Sequence, residues 1–361
     1  MKNILIWSLI VGLTVYAAYF STKVVTSVRS MNARAEAAEE EYEEPVRLEF
    51  PDADYIILDR IEEAAEPEEY RVYQKDRYMF SFREFSEAVE YASALSRSAV
   101  VVKSTNKWVW DNHPPYHVFT GGEDYSEYDT FAGAVRLASL HESSYIYYRK
   151  NNSLVWTNAE PLAGRAMIEA PLICQLPELR RGCEVVSLAM LLNYKGLNAD
   201  KMELASRVKK NDEPYRVVDG VTYFGDPNDG FVGDMYSLGE HGLGVYHGPV
   251  HELLTEYLPY SSLDLTGCDF KHLLYFLESG SPVWVIINTT YAKLPESRFF
   301  TWQTPNGIIK ITYYEHSVLL TGYDDRYVYF NDPLNLREAA PIDGFIEAWE
   351  QMGRQAITVV D

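Results

Sequence analysis

Two stretches of 43 residues match each other in one register at an offset of 46, without a gap. YRVYQKDRYMFSFREFSEAVEYASALSRSAVVVKSTNKWVWDN begins at Tyr70, and YHVFTGGEDYSEYDTFAGAVRLASLHESSYIYYRKNNSLVWTN begins at Tyr116. The offset pairs Tyr70 with Tyr116, Val72 with Val118, Phe85 with Phe131, Ala88 with Ala134 and Ala92 with Ala138. It also pairs Ser98 with Ser144, Trp110 with Trp156 and Asn112 with Asn158. Such a match requires one supersecondary unit built twice, at 67–112 and 113–158. Each copy reads as strand, helix, strand, strand, with a helix over 85–95 in the first. Alanines four apart on that helix let another element pack closely. The aromatic positions are core residues or a surface for glycan or peptide. His113 and His117, around the second copy's first strand, are expected at the surface.

After a short connector, 165–361 is long enough for one further domain. It contains PLICQLPELRRGCEVVSLAMLLNYK, from Pro171 to Lys195. Val185, Val186, Leu188, Ala189, Leu191 and Leu192 recur at spacings of three and four, which predicts a buried helix. Cys183 falls in its first turn, where free backbone N–H groups and the helix dipole favour an anion. Gln175 lies just upstream and has an N–H to offer an oxyanion. The opposing reading is a buried thiol that only packs. The chain has three cysteines, Cys174, Cys183 and Cys268, too few for a disulfide scaffold. Cys174 and Cys268 read as buried thiols, with a bond between them left open.

A cysteine nucleophile needs a base and a group to orient it. His316 opens the apolar run HSVLLTGY, and the strand YVYFN returns across an Asp324-Asp325 turn to Asp332. The hairpin predicts that Asp332 meets the His316 ring and sets its tautomer. His241, His247, His251 and His272 have nothing comparable beside them in the sequence. A helix is expected over 201–210, capped by Asn198 or Asp200, and another over 270–278. The stretch 219–254, rich in Gly, Asp and aromatics, reads as an extended loop wall. Its Asp226, Asn228, Asp229 and Asp234 do not have the spacing of a calcium loop, and no Cys/His spacing suggests zinc. No metal or cofactor is expected.

The segments CQLPELRRGCEVVSLAMLLNY, GDPNDGFVGDMY, GVYHGP, GSPVWVIIN, YYEHSVLLTGYDD and YFNDPL together resemble the C39-like cysteine peptidases, closest to a bacillus-type branch. These are relatives of the bacteriocin-leader peptidases with a papain-like fold. The resemblance covers nearly all of 171–361. It implies Cys183 as nucleophile, His316 as general base and acid, Asp332 as the orienting residue, and Gln175 with the Cys183 backbone N–H as oxyanion donors. The gap from Gln175 to Cys183 is eight residues here, two longer than in typical papain-like enzymes. The chain carries no ATP-binding motif, so the leader-peptidase substrate does not transfer. The fold expected is α+β, a papain-like cysteine peptidase domain preceded by the duplicated module and an N-terminal membrane helix.

That helix is the uncharged, mostly apolar run 4–20 behind Lys2, read with its flanks (1–24) as a signal anchor, or as a cleaved secretory signal. Either places the bulk of the chain outside the cytoplasm. An acidic spacer, 25–66, follows; between 25 and 69 there are 15 acidic and 4 basic residues. Much of the net charge of −21 is therefore local, and its sign excludes a nucleic-acid partner, because phosphate contacts need Lys and Arg clusters. The expected partners are a peptide or protein substrate, the membrane through the helix, and cell-wall material through the repeats. Two rival functions stand beside the peptidase: a catalytically silent surface-binding protein, and an acyl transferase (transamidase) using the same three residues.

Overall fold

The computed structural model describes residues 69–121 and 124–360. The expected membrane helix and the acidic spacer lie outside the described residues. Among the described residues no helix is long and apolar enough to cross a membrane.

The chain divides after Asp111 into two compact units. The first contains β1 (Tyr70–Gln74), β2 (Arg77–Phe82), α1 (Phe85–Ser93), β3 (Ser98–Val102) and β4 (Lys107–Asp111). The sheet order is β2-β1-β3-β4, antiparallel throughout. The sequence reading had one strand before the helix where the structure has a hairpin. Lys75 takes a positive φ of 52° in the turn that splits YRVYQ from RYMFSF. Val72, Ala88, Ala92 and Val100 form the small core, sealed at its edge by Phe85 and Trp110. The alanines permit the close approach of α1 to β1 and β3.

The second unit opens with the other copy: β5 (Tyr116–Thr120), β6 (Asp124–Tyr128), α2 (Phe131–Ala138), β7 (Tyr145–Tyr148) and β8 (Ser153–Thr157), ordered β6-β5-β7-β8. Thr130 caps α2 by accepting from Gly133 N. His117 is buried in β5, not at the surface as expected, because Tyr125 packs edge-on against its ring.

The remaining elements are β9 (Ala166–Met167), α3 (Cys183–Tyr194), α4 (Lys201–Arg207), β10 (Lys210–Asn211), β11 (Arg216–Val218), β12 (Val221–Tyr223), β13 (Phe231–Val232), α5 (His247–Tyr257), β14 (Ser262–Asp264) and α6 (Phe270–Glu278). Then follow β15 (Val283–Asn288), β16 (Phe300–Thr304), β17 (Gly307–Ile311), β18 (Glu315–Tyr323), β19 (Tyr327–Asn331), β20 (Ala339–Pro341), α7 (Ile342–Gln351) and β21 (Ala356–Val359). The main sheet runs β14-β21-β15-β18-β19-β20, with β9 added against β18. Both β15 and β18 are buried along their whole length, as continuous apolar strands covered on both faces are. The expected loop wall holds more structure than foreseen, since its last residues, from His247, begin α5.

Period-two alternation sends successive β18 side chains to opposite faces. Val318 and Leu320 enter one hydrophobic cluster with α6, α7 and the second repeat, whereas Leu319 enters another with α3 and α5. The first cluster joins Phe131 to Phe276 at 5.4 Å and Trp156 to Tyr275 at 6.2 Å. The second repeat therefore shares one core with the C-terminal region. Helix α3 is buried from Cys183 to Leu192, apolar nearly all round, as a central helix is. Asp200 caps α4 by accepting from Met202 N and Glu203 N.

Candidate active site

Helix α3 begins at Cys183, and the tight approach of the preceding turn requires the glycine before it. A Cβ on Gly182 would lie 2.6 Å from Leu179 Cβ. Cys183, Gln175 and His316 line one cavity of about 510 Å³, with Arg181, Tyr313 and Glu315 among the other lining residues. The Ser317 backbone N–H favours the charged form of the cysteine sulfur.

The His316 side chain is fixed by the β18–β19 hairpin. Leu319 pairs with Asn331, so Asp332 follows at the place opposite Val318, on the same face as His316. His316 Nε2 and Asp332 Oδ1 are 2.8 Å apart, and both side chains are almost fully buried. Oδ1 also accepts from Leu334 N, at 2.8 Å; Oδ2 accepts from Tyr291 OH at 2.6 Å and Leu336 N at 3.0 Å. Burial by itself would raise this carboxyl, but the His316 bond and charge, with Tyr291 and the backbone N–H groups, hold it down at about 2. Asp332 is thus a buried carboxylate with its lone pairs filled. The Tyr291 ring stacks on Phe330 at 4.9 Å, which fixes its hydroxyl.

Gln175 is buried, and its Nε2 donates to Leu179 O at 3.1 Å. Its Oε1 is buried without a hydrogen-bond partner. The turn that carries it is anchored by Gln175 N donating to Pro333 O, beside Asp332, at 2.9 Å.

A second pair of ionisable groups lies against the cysteine. The Cys183 thiol donates to Glu184 Oε2 at 3.2 Å, and Glu184 Oε1 accepts from Val245 N at 2.6 Å. Donor atoms of Cys183, Glu184 and Glu315 all lie within 4.8 Å of one another. The backbone gives way to admit the two acids: a Cβ on Gly244 would meet Glu184 Oε1 at 2.1 Å and Glu315 Oε2 at 2.8 Å. Burial raises the Glu184 carboxyl to about 7 despite its hydrogen bonds, and burial with the neighbouring Glu184 charge pushes Glu315 well up. Burial, then the Glu184 and Glu315 charges, push the Cys183 thiol well up too. The helix-dipole expectation of a lowered thiol is outweighed in this resting arrangement, because the charged form has lost water and faces carboxylates.

Residues 167–357 match the profile of the Peptidase_C39 like family, which is more than half of the chain. The chain belongs to that family. It is 47% identical to an uncharacterised protein, YvpB, of Bacillus subtilis (strain 168), over 184 residues, or 51% of this chain and 70% of the relative. A crystal structure from Bacillus anthracis, described provisionally as a C39-like peptidase, superposes with a TM-score of 0.51. The two share 48% identity, covering 55% of this chain and 98% of that one.

Within this C39-like region the four residues picked from the sequence come together: Cys183, His316 and Gln175 on one cavity, Asp332 behind the histidine. The other expectations divide. Cys174 is exposed rather than buried, and all three cysteines are free thiols, which removes the bond left open between Cys174 and Cys268. Cys174 lies in the segment before the Gln175 turn, outside both large clusters. His247 does have a carboxylate beside it, Asp264 at 2.9 Å, but the cavity it lines contains no cysteine. The acids of the loop wall hold turns: Asp226 Oδ1 accepts from Asn228 N, and Asp234 Oδ1 from Tyr236 N and Ser237 N.

Four contributors escaped the sequence reading. Glu184 and Glu315 are each the immediate neighbour of a predicted residue, in GCEVVS and YYEHSV. A charged residue inside an otherwise apolar run was the available signal. Arg181 donates to the backbone oxygens of Asp234, Ser237 and Glu240, clamping the segment whose Leu238, Gly239 and Glu240 line the cavity. Tyr291 left no signal, because its contact with Asp332 spans distant segments.

Proposed function

We propose that this protein is a cysteine peptidase, hydrolysing peptide or amide bonds at the 510 Å³ cavity. The observation that carries the reading is the buried His316–Asp332 pair on the cavity that Cys183 lines. With Nε2 committed to Asp332, the Nδ1 atom of His316 is left to take the thiol proton. The thiolate attacks the substrate carbonyl, the oxyanion is held by the Cys183 N–H and an N–H of the Gln175 amide, and His316 returns the proton to the leaving amine. Water activated by His316 then releases the acyl group. Gln175 Nε2 donates to Leu179 O at 3.1 Å and to Arg180 O at 3.4 Å, and the longer of the two bonds is the one exchanged for the oxyanion.

Iodoacetamide labelling of the full chain, followed by mass spectrometry at each cysteine, tests the pair. Cys183 should label well below pH 8, about 10²-fold faster than in His316→Ala, and Cys183→Ala should abolish hydrolysis of a casein-type protein substrate. Labelling of Cys183 at an ordinary thiol rate, unchanged in His316→Ala, would sink the proposal. A second reading, a silent surface-binding protein, draws on the thiol being tied to Glu184 with its ionisation pushed up. The same labelling separates the two.

The apolar run behind Lys2 supports an anchored, extracytoplasmic placement for the peptidase region. Protease added to intact cells should then degrade the C-terminal region; full protection until lysis would overturn this placement.

A further inference from the structure

Two carboxylates and a thiol meet at the start of α3, each offering an atom within 4.8 Å of the others. Glu184 is fully buried and Glu315 nearly so, and neither makes a salt bridge among the described residues. Glu315 Oε1 is buried with no hydrogen-bond partner. The groups facing the pair are few. Cys183 comes from α3, Lys210 from β10 acts on Glu184, and Tyr246, just before α5, feels both carboxylates. Lys210 is itself committed to Ala205 O at 2.7 Å and to the Phe231 ring at 5.0 Å. Two like charges this close and this buried do not both persist, so the pair holds a proton over a wide range of pH.

We infer that the Glu184–Glu315 pair is a proton store that positions Cys183: with Glu184 protonated, its O–H turns to the sulfur and supports the thiolate, and with Glu184 ionised the thiol stays hydrogen-bonded to the carboxylate. The inference rests on the proposed cysteine peptidase. In the active state the thiol proton passes to His316 Nδ1, and Glu184 keeps its own proton and donates through it. In the inactive state Glu184 Oε2 accepts the S–H, the arrangement at 3.2 Å described above. Glu184 and Glu315 are positioning residues, since they act through the sulfur. The site therefore gains reactivity on the acid side. A raised carboxyl beside the nucleophile loses its proton as pH rises through about 7, and the hydrogen bond that supports the thiolate goes with it.

The experiment is the pH dependence of Cys183 alkylation by iodoacetamide in the full chain, wild type beside Glu184→Gln and Glu315→Gln. The new bond is S–C, and iodide leaves. Wild type should slow by about tenfold as pH rises from about 5.5 to about 8, a loss of about 1.4 kcal/mol of thiolate support. Glu184→Gln, whose amide cannot ionise, should lose that slope. Glu315→Gln, which leaves Glu184 to titrate, should keep it. Two Gln variants with the same profile, or a Glu184→Gln profile that superimposes on wild type, would overturn the inference. If Glu184→Gln fails to fold, wild type decides: a rate that stays flat or climbs between those limits overturns it. The outcomes separate from those of the parent proposal. Fast acid-side labelling that His316→Ala abolishes keeps the peptidase, whatever the Gln variants do.

Discussion

Two buried pairs flank Cys183, and they are built on opposite principles. His316 and Asp332 are complementary: one donates, the other accepts, and every oxygen of the acid has a partner. Glu184 and Glu315 are alike: both are raised by burial, the Glu184 charge penalises ionisation of Glu315, and one oxygen has no partner. Neighbours in sequence, Glu315 and His316, belong to different pairs because β18 alternates its faces. The lesson is that burial alone does not set a titration. Asp332 is buried and held at about 2, and Glu184 is buried and raised to about 7; the difference lies in what each carboxylate meets.

The largest break in this contrast is Asp332→Ala. It leaves the Tyr291 hydroxyl, three backbone N–H groups and the His316 ring without their acceptor. A loss of about 3–5 kcal/mol is expected, read as a lower urea midpoint at neutral pH. Glu184→Gln has the opposite sign. The folded Glu184 carboxyl is raised above its unfolded value, so the wild type binds an extra proton when folded. Its stability is full below pH about 4 and falls as pH rises to about 7. The variant should be more stable than wild type at pH 8, on the order of 2–3 kcal/mol, and similar to it near pH 4; a thermal melt at the two values checks this. The smallest effect lies in acid. Asp332 is depressed, so its contribution is present above pH about 4 and is lost as pH falls through about 2. Between pH 5 and pH 2.5 the wild type should lose roughly 1–2 kcal/mol more than Asp332→Ala does. Parallel slopes would show that the two pairs do not differ as drawn.

The duplication carries its own version of the lesson. Phe85 and Phe131 hold equivalent places in the two copies, and so do Trp110 and Trp156. Phe131 is fully buried against Phe276, whereas Phe85 is only half-buried at the edge of its own small core. The repeat was legible because its register is a property of the letters. Its hairpin was announced only in the second copy, where Gly121 stands at the place of Lys75 and also takes a positive φ; the first copy's turn has neither Gly nor Asn. That the second copy lends its aromatic face to the C-terminal core depends on residues more than a hundred positions away.

By itself the sequence determined the duplicated unit, the helix that begins at Cys183, the hairpin that sets Asp332 behind His316, and the family, because each follows from local period, spacing or motif. Only the tertiary structure decided what surrounds the sulfur. Glu184 meets Glu315 through the approach of α3 to β18 and the gap left by Gly244. Arg181 closes the cavity wall on three backbone oxygens, and Tyr291 completes Asp332. Desolvation and charge depend on distance in space, and distance in space is what a linear pattern does not record.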